Sequence, residues 1–206
     1  MGLVDEKKRK KQQELLASAF SLFTEKGINE TSISDIVNKA KMAKGTFYLY
    51  FKDKYDIRDR LITHHANIVF ANANRMIRKK HKLDMSKPDA LERYIVAITD
   101  NIIDQLNENK VMMRFISKNL SWGVFSNIKI EEMDNKSCME VMEEMIRLSG
   151  RKFRNTQLLV FMIVELVNST CFNVILNQQP VTVKELKKEL NLAICGLIKQ
   201  FEILPE

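Results

Sequence analysis

Glycine and proline are scarce: 206 residues hold six Gly and three Pro. These residues supply the tight turns and breaks that interrupt regular elements. A chain so short of them must fold into long helices with short connections. A sandwich, a barrel or a Gly-looped nucleotide fold would have too few turn residues to close on. With 45% hydrophobic and 29% charged residues, the chain can bury a sizeable core and is neither a disordered polymer nor a membrane bundle. The N-terminal residues lack a secretory apolar stretch, and the most apolar window, Leu158 to Leu176, carries Glu165, Asn168, Ser169, Thr170 and Asn173. No membrane partner and a cytoplasmic location are therefore expected.

Chemistry-bearing residues are few. Cys138, Cys171 and Cys195 are an odd, widely spaced set and read as reduced structural thiols. His64, His65 and His81 do not make a metal centre or an acid–base apparatus. No nucleophile–base pair and no phosphate loop is visible. The expectation is a non-enzyme without metal or cofactor.

Charge is unevenly placed. Residues 1–60 hold 13 basic and 9 acidic side chains, residues 61–120 hold 10 and 6, and residues 121–206 hold 10 and 11. A basic N-terminal half suits a polyanion, because Lys and Arg on nucleic acid release condensed counterions. Lys7 to Lys11 is an uninterrupted basic run whose role is either an arm on DNA or a solvated terminus.

The periodicity predicts a first helix from about Lys10 to Lys26, with Leu15, Leu16, Ala19, Phe20 and Phe23 in one stripe and Gly27 as its C-cap. A short helix follows Ser32, whose hydroxyl and the Asp35 carboxylate fit a capping box. The next starts near Lys44 and carries Phe47 and Phe51. Only Lys41, Met42 and Ala43 separate the two, a helix-turn-helix pattern. Further helices are expected over Lys54–His81, from Pro88 to Leu106, over Val111–Trp122, Ile130–Leu148, Asn155–Gln179 and Val183–Phe201, with Gly123 to Lys129 as a loop or kink.

The informative stretch is Thr31 to Lys54. The helix from Lys44 is short, and its outer side offers Lys44, Thr46, Tyr48 and Tyr50, a mix of charge, hydroxyl and aromatic edge. A major groove about 12 Å wide admits a helix bearing such groups. Gly45 permits close approach of backbone, and Lys54 can reach a phosphate.

With Asp35-Ile36-Val37-x-x-Ala40, then Lys44-Gly45-Thr46-Phe47-Tyr48-x-Tyr50-Phe51 and Lys52-Asp53-Lys54, preceded by Ala19 to Gly27, the first 60 residues or so resemble the TetR family of bacterial transcriptional regulators. The resemblance implies an all-α homodimer in which a three-helix DNA-binding head joins a helical-bundle body that takes a small effector. It places Lys44, Gly45, Thr46, Tyr48 and Tyr50 in or against the groove, Lys54 on phosphate, and Thr31, Ser32 and Ser34 as contacts from the second helix. Phe47 and Phe51 match positions that pack inward. The head is expected over 1–53 and the ligand-binding and dimerisation body over 54–206.

Two positions depart from the family pattern. Lys41 stands where the family usually has Gly, and a non-Gly residue held at positive φ there costs on the order of 1 kcal/mol. Ala43 stands where the family often has a capping Ser or Thr, a loss of about 0.5–2 kcal/mol.

Beyond residue 60 the reading rests on physics. Between Asn155 and Val183 the only charge is Glu165, so this helix must be buried on most sides. A four-helix bundle made with the last helix across two subunits would bury it. Glu165 then needs either a partner across the dimer or a cationic ligand. Met and aromatic residues gather mid-chain, and Met112, Phe115, Trp122, Phe125, Met142, Phe161, Glu165 and Phe172 are the candidates to line an effector cavity. The function expected is a repressor released from an inverted-repeat operator in double-stranded DNA by a small apolar or amphipathic effector. The alternative is a DNA-binding regulator whose body docks a protein partner.

Overall fold

The computed structural model describes residues 3–80, 84–126, 129–130 and 136–204. The chain forms two compact units, residues 1–64 and 65–206.

The first unit holds α1 (Leu3–Glu25), α2 (Ile33–Lys39), α3 (Lys44–Tyr48) and the first turns of α4 (Lys54–Lys80). The apolar stripe behaves as its spacing demands: Leu15, Ala19 and Phe23 are buried, with Leu16 and Phe20 partly so. They meet Ile36 and Val37 of α2, Phe47 of α3, and Phe51, Ile57, Leu61 and Ile62 in one small core. α1 starts at Leu3 rather than near Lys10. Asp5 and Glu6 fill its first turn, where acids favour the helix dipole, and they stand four residues ahead of Arg9 and Lys10. Gly27 ends the α1 region at φ 88°. Lys39 donates to Ser21 Oγ at 2.8 Å and ties α2 to α1.

The turn between α2 and α3 carries both departures from the family pattern. Lys41 sits at φ 56°, and Ala43 at the α3 N-cap offers no side-chain hydrogen bond. Both positions are exposed, so both can be relieved without repacking. Lys41→Gly and Ala43→Ser together should stabilise the first unit by about 1–2 kcal/mol, the glycine gain being reduced by the freedom it adds to the unfolded chain. Thermal unfolding of the two single variants and the double variant measures this. A double variant no more stable than the parent would mean the strain is absorbed elsewhere.

The second unit holds the rest of α4, then α5 (Ala90–Glu108), α6 (Lys110–Asn119), α7 (Trp122–Ser126), the pairing of β1 (Lys129–Ile130) with β2 (Lys136–Ser137), α8 (Cys138–Leu148), α9 (Thr156–Asn177) and α10 (Val183–Phe201). Several boundaries differ from the periodicity. α5 starts at Ala90, because residues 84–90 close a turn in which Ser86 N and Oγ donate to Asp84 Oδ1; Pro88 lies in that turn rather than in the helix. Asn109 ends α5, and its side chain caps α6 by accepting from Met112 N at 2.9 Å. α7 forms where a loop or kink was expected. The helix expected from Ile130 starts only at Cys138, where Ser137 and Glu140 make a capping box. His81, at the expected end of the fourth helix, and Asn127–Ile128 and 131–135 in this stretch lie outside the described residues.

α9 packs against α6 and α10 at the centre of this unit. By length and composition it is apolar enough to cross a membrane, but Leu159, Val160, Ile163, Cys171, Val174 and Ile175 are buried within the protein core. Its other face stays uncovered, with Leu158, Phe161 and Met162 exposed, and on α10 Leu192 is exposed as well. Burial pushes the Cys138 and Cys171 thiols up to about 12, so both remain protonated packing groups.

One ionic knot closes the unit. Arg151, just after α8, donates from Nε and Nη2 to the two oxygens of Glu202 at 2.6 Å each, and from Nη1 to Glu92 at 2.7 and 2.8 Å. Its guanidinium also lies over the Phe153 ring at 5.4 Å. Backbone bonds run beside it, Arg154 N to Phe201 O at 3.0 Å and Ile203 N to Lys152 O at 2.8 Å. The α8–α9 connection thereby joins the start of α5 to the residues after α10.

Candidate nucleic-acid interface and effector cavity

The interface candidate is built from the anchoring of α3. Five residues make a helix too short to persist alone. Two rings hold it: Phe47, fully buried, meets Phe51 at 5.5 Å between centroids, and both point into the core of the first unit. Anchoring at Phe47 turns the opposite side outward. Lys44 and Gly45 are exposed, Tyr48 is 54% exposed, and Thr46 and Tyr50 are partly covered. Tyr48 stands edge-on to Phe47 at 5.5 Å, which limits its swing.

α2 is held by its cap. Asp35 Nα–H donates to Ser32 Oγ at 3.1 Å, and Ser32 N donates back to Asp35 Oδ2 at 2.8 Å. Lys26 adds an ion pair at 2.9 Å. The backbone bond from Ser32, with Lys26 behind it, holds the Asp35 carboxyl down at about 2, so it is ionised at any working pH. Ser32 and Ser34 are exposed beside α3's outer side chains in sequence, whereas Thr31 is 1% exposed and donates its hydroxyl to Gly27 O at 2.7 Å. Lys54 donates to three carbonyls, Ile28 and Asn29 at 3.0 Å and Thr31 at 3.2 Å. Of the nine candidates, then, Thr31 and Lys54 hold the loop between α1 and α2, and the others stand on or beside the outer surface.

One feature escaped sequence reasoning. Leu49, 76% exposed between the two tyrosines, is an apolar group of the kind that meets a thymine methyl. Its position two residues after the inward Phe47 is the signal that could have found it. Gly45, a groove candidate from the sequence, stands in the open: a Cβ built there would meet nothing within 4 Å beyond its chain neighbours and its own helix backbone. No packing within the chain requires a glycine in this helix.

The second unit holds a partly open cavity of about 130 Å³. Its walls are aliphatic: Ala66, Val69 and Phe70 of α4, Ile95, Ile98 and Ile102 of α5, Val160, Ile163, Val164 and Val167 of α9, with Ile116, Leu120, Phe125, Cys138 and Met142 from the helices between. Thr99 and Asn168 are its polar lining residues, and no charged residue lines it among those described. Of the eight effector candidates, Phe125 and Met142 line the cavity. Trp122 stacks on Phe125 at 5.6 Å and meets Phe161 edge-on at 5.3 Å. Phe115 packs edge-on to His65 at 6.1 Å, and Met112 and Phe172 lie against the core. Glu165 is partly exposed on α9, away from the lining.

A buried-ring anchor, a capped helix before it and an exposed short helix define a helix-turn-helix protein of the DNA-binding class. Residues 15–61 match the family described as bacterial regulatory proteins, tetR family. The chain is 47% identical over 58 residues to the uncharacterized HTH-type transcriptional regulator YvdT of Bacillus subtilis, 26% of this chain and 30% of that protein. It spans about a third of the length of the first curated relatives it matches. In fold it is similar to a TetR-family transcriptional regulator from Streptomyces coelicolor, with a TM-score of 0.64 and 11% identity over 93% of this chain and 99% of that one. It is likewise similar to the regulator FadR from Bacillus subtilis, solved in complex with stearoyl-CoA, with a TM-score of 0.56 and 18% identity over 88% and 96%. Residues 15–61 are thus similar to the tetR family of bacterial regulatory proteins, and the chain as a whole shares the fold of its solved members.

Proposed function

We propose that the protein is a homodimeric, sequence-specific transcriptional repressor that binds an inverted-repeat operator through α3 and is released by a small, uncharged, mainly apolar effector in the cavity of the second unit. The observation that carries the DNA-binding reading is Gly45. A glycine in a helix is unfavourable by about 0.5–1 kcal/mol relative to alanine, and here no neighbouring protein atom needs the space. Gly123 and Gly196 have equally open surroundings; what sets Gly45 apart is its place among the exposed Lys44, Tyr48 and Leu49, which suit a groove. The exposed apolar residues of α9 (Leu158, Phe161, Met162) and of α10 (Leu192) favour a second copy as their cover. The aliphatic lining with only Thr99 and Asn168 favours an effector with a hydrogen-bonding group and no charge.

Selection from random duplexes, followed by sequencing, should enrich an inverted repeat with half-sites about one helical turn apart. Gly45→Ala should then unfold at the same or a higher temperature yet bind the recovered operator about tenfold or more weakly. An alanine variant that binds as tightly as the parent would remove the argument from Gly45. Because Trp122 stacks on the cavity-lining Phe125, its emission reports effector binding in a titration with medium-chain alcohols and the matching carboxylates.

A further inference from the structure

α1 is longer than its packing requires. From Asp5 to Lys11 every side chain is exposed, and the first buried one is Leu15. At 1.5 Å per residue the stretch before Leu15 extends about 18 Å. This extension carries Lys7, Lys8, Arg9, Lys10 and Lys11 in succession. Successive residues turn by about 100°, so the five cations form a collar, with Lys7 and Lys11 on the same side. A half-face of the helix presents between one and four of them, the most on the side shared by Lys7 and Lys11.

The collar does not serve the helix. Lys7 and Lys11 repel at i,i+4, and cations within the first turns oppose the dipole. Asp5 and Glu6 counter this from the first turn, four residues ahead of Arg9 and Lys10. The arrangement keeps a strongly cationic rod helical without any core to support it. A solubilising surface would mix its signs; a single-sign rod is the complement of a polyphosphate backbone.

We propose that this α1 extension is a second DNA-contacting element, which grips the phosphates flanking the bases read by α3 and does so without regard to sequence. The proposal rests on the DNA-binding reading above and adds a site to it. The bound form needs no base contact, so the collar contributes affinity and salt dependence and leaves sequence preference to α3.

The test compares the parent with a variant in which Lys7, Lys8, Arg9, Lys10 and Lys11 are all changed to Gln, a residue of similar helix propensity. Both bind the selected operator over a series of salt concentrations, on a duplex trimmed to the inverted repeat and on one with about ten extra base pairs each side. Two or three phosphate contacts per subunit predict a log–log salt slope shallower by about 2–3 per subunit in the variant. The sequence enriched by the variant should be unchanged, and only the parent should gain affinity from the added flanks. Circular dichroism and the oligomeric state of the variant establish that it is folded. A parent that selects an operator while the variant keeps its full salt slope overturns this proposal alone. A parent that binds no duplex overturns it together with the repressor reading. A variant with an unchanged slope that loses binding to phosphatidylglycerol vesicles would assign the collar to a lipid surface instead.

Discussion

Arg151→Met should destabilise the second unit by about 3–5 kcal/mol. The guanidinium is the shared partner of Glu92 and Glu202, whose side chains are 12% and 19% exposed, and its removal leaves two carboxylates in low-dielectric surroundings with nothing to balance them. Denaturant unfolding followed through Trp122, the only tryptophan, reports on this unit directly. A companion variant, Arg151→Met with Glu92→Gln and Glu202→Gln, should regain much of the loss, since the penalty lies in the stranded charges more than in the missing bonds. The pH dependence follows from the same pair. Hydrogen bonding from Arg151 holds the Glu202 carboxyl below its ordinary range. A depressed carboxyl contributes fully above its unfolded value near 4.5 and loses that contribution as pH falls through the folded value. The parent should therefore weaken below about pH 4, while the Arg151→Met deficit shrinks there because protonated carboxyls tolerate burial. A deficit under about 1 kcal/mol at pH 7 would show that water reaches the knot and screens it.

Phe47→Ala is the second large effect. The ring is fully buried and joins α3 to the core of the first unit. Deleting it removes about 3–5 kcal/mol from a unit of only 64 residues, whose total stability is of the same order. The expected result is a protein whose first unit is unfolded and whose operator binding is lost, while the Trp122 signal and the unfolding of the second unit remain those of the parent. Phe47→Leu, costing less, should keep a folded first unit with a lowered melting temperature. Full helical content and operator binding in Phe47→Ala would mean that α3 is held by something other than this ring.

What the sequence disclosed was mostly local. The Ser32–Asp35 capping box, the positive φ at Lys41 and the uncapped N-terminus at Ala43 all depend on residues within a few positions of one another, and all occur where the sequence puts them. The inward and outward sides of α3 followed from the spacing of Phe47 and Phe51. What it did not disclose depended on distance along the chain. Lys54 bonds carbonyls more than twenty residues earlier, and Arg151 joins carboxylates 59 and 51 residues away; neither partnership leaves a spacing signature. The cavity was misplaced for another reason. Met and aromatic residues are conspicuous in a sequence, but aliphatic residues such as Val69, Ile98, Ile102, Ile163 and Val167 form most of the wall. An aliphatic residue at helical spacing looks the same whether it faces a neighbour or a void. The pairing of β1 with β2 and the short α7 were also invisible, since two-residue strands and five-residue helices carry too little periodicity to register.

The open face of α9 has a consequence for how much of this protein a cell must hold. If Leu158, Phe161, Met162 and Leu192 are covered only by a second copy, pairing and folding draw on the same bimolecular equilibrium. Dilution then removes folded molecules as well as pairs, and the melting temperature rises with protein concentration. On the proposed reading, two heads delivered by one pairing event would make operator occupancy climb more steeply than in proportion to the number of chains, so a modest change in expression would become a sharp change in the regulated output.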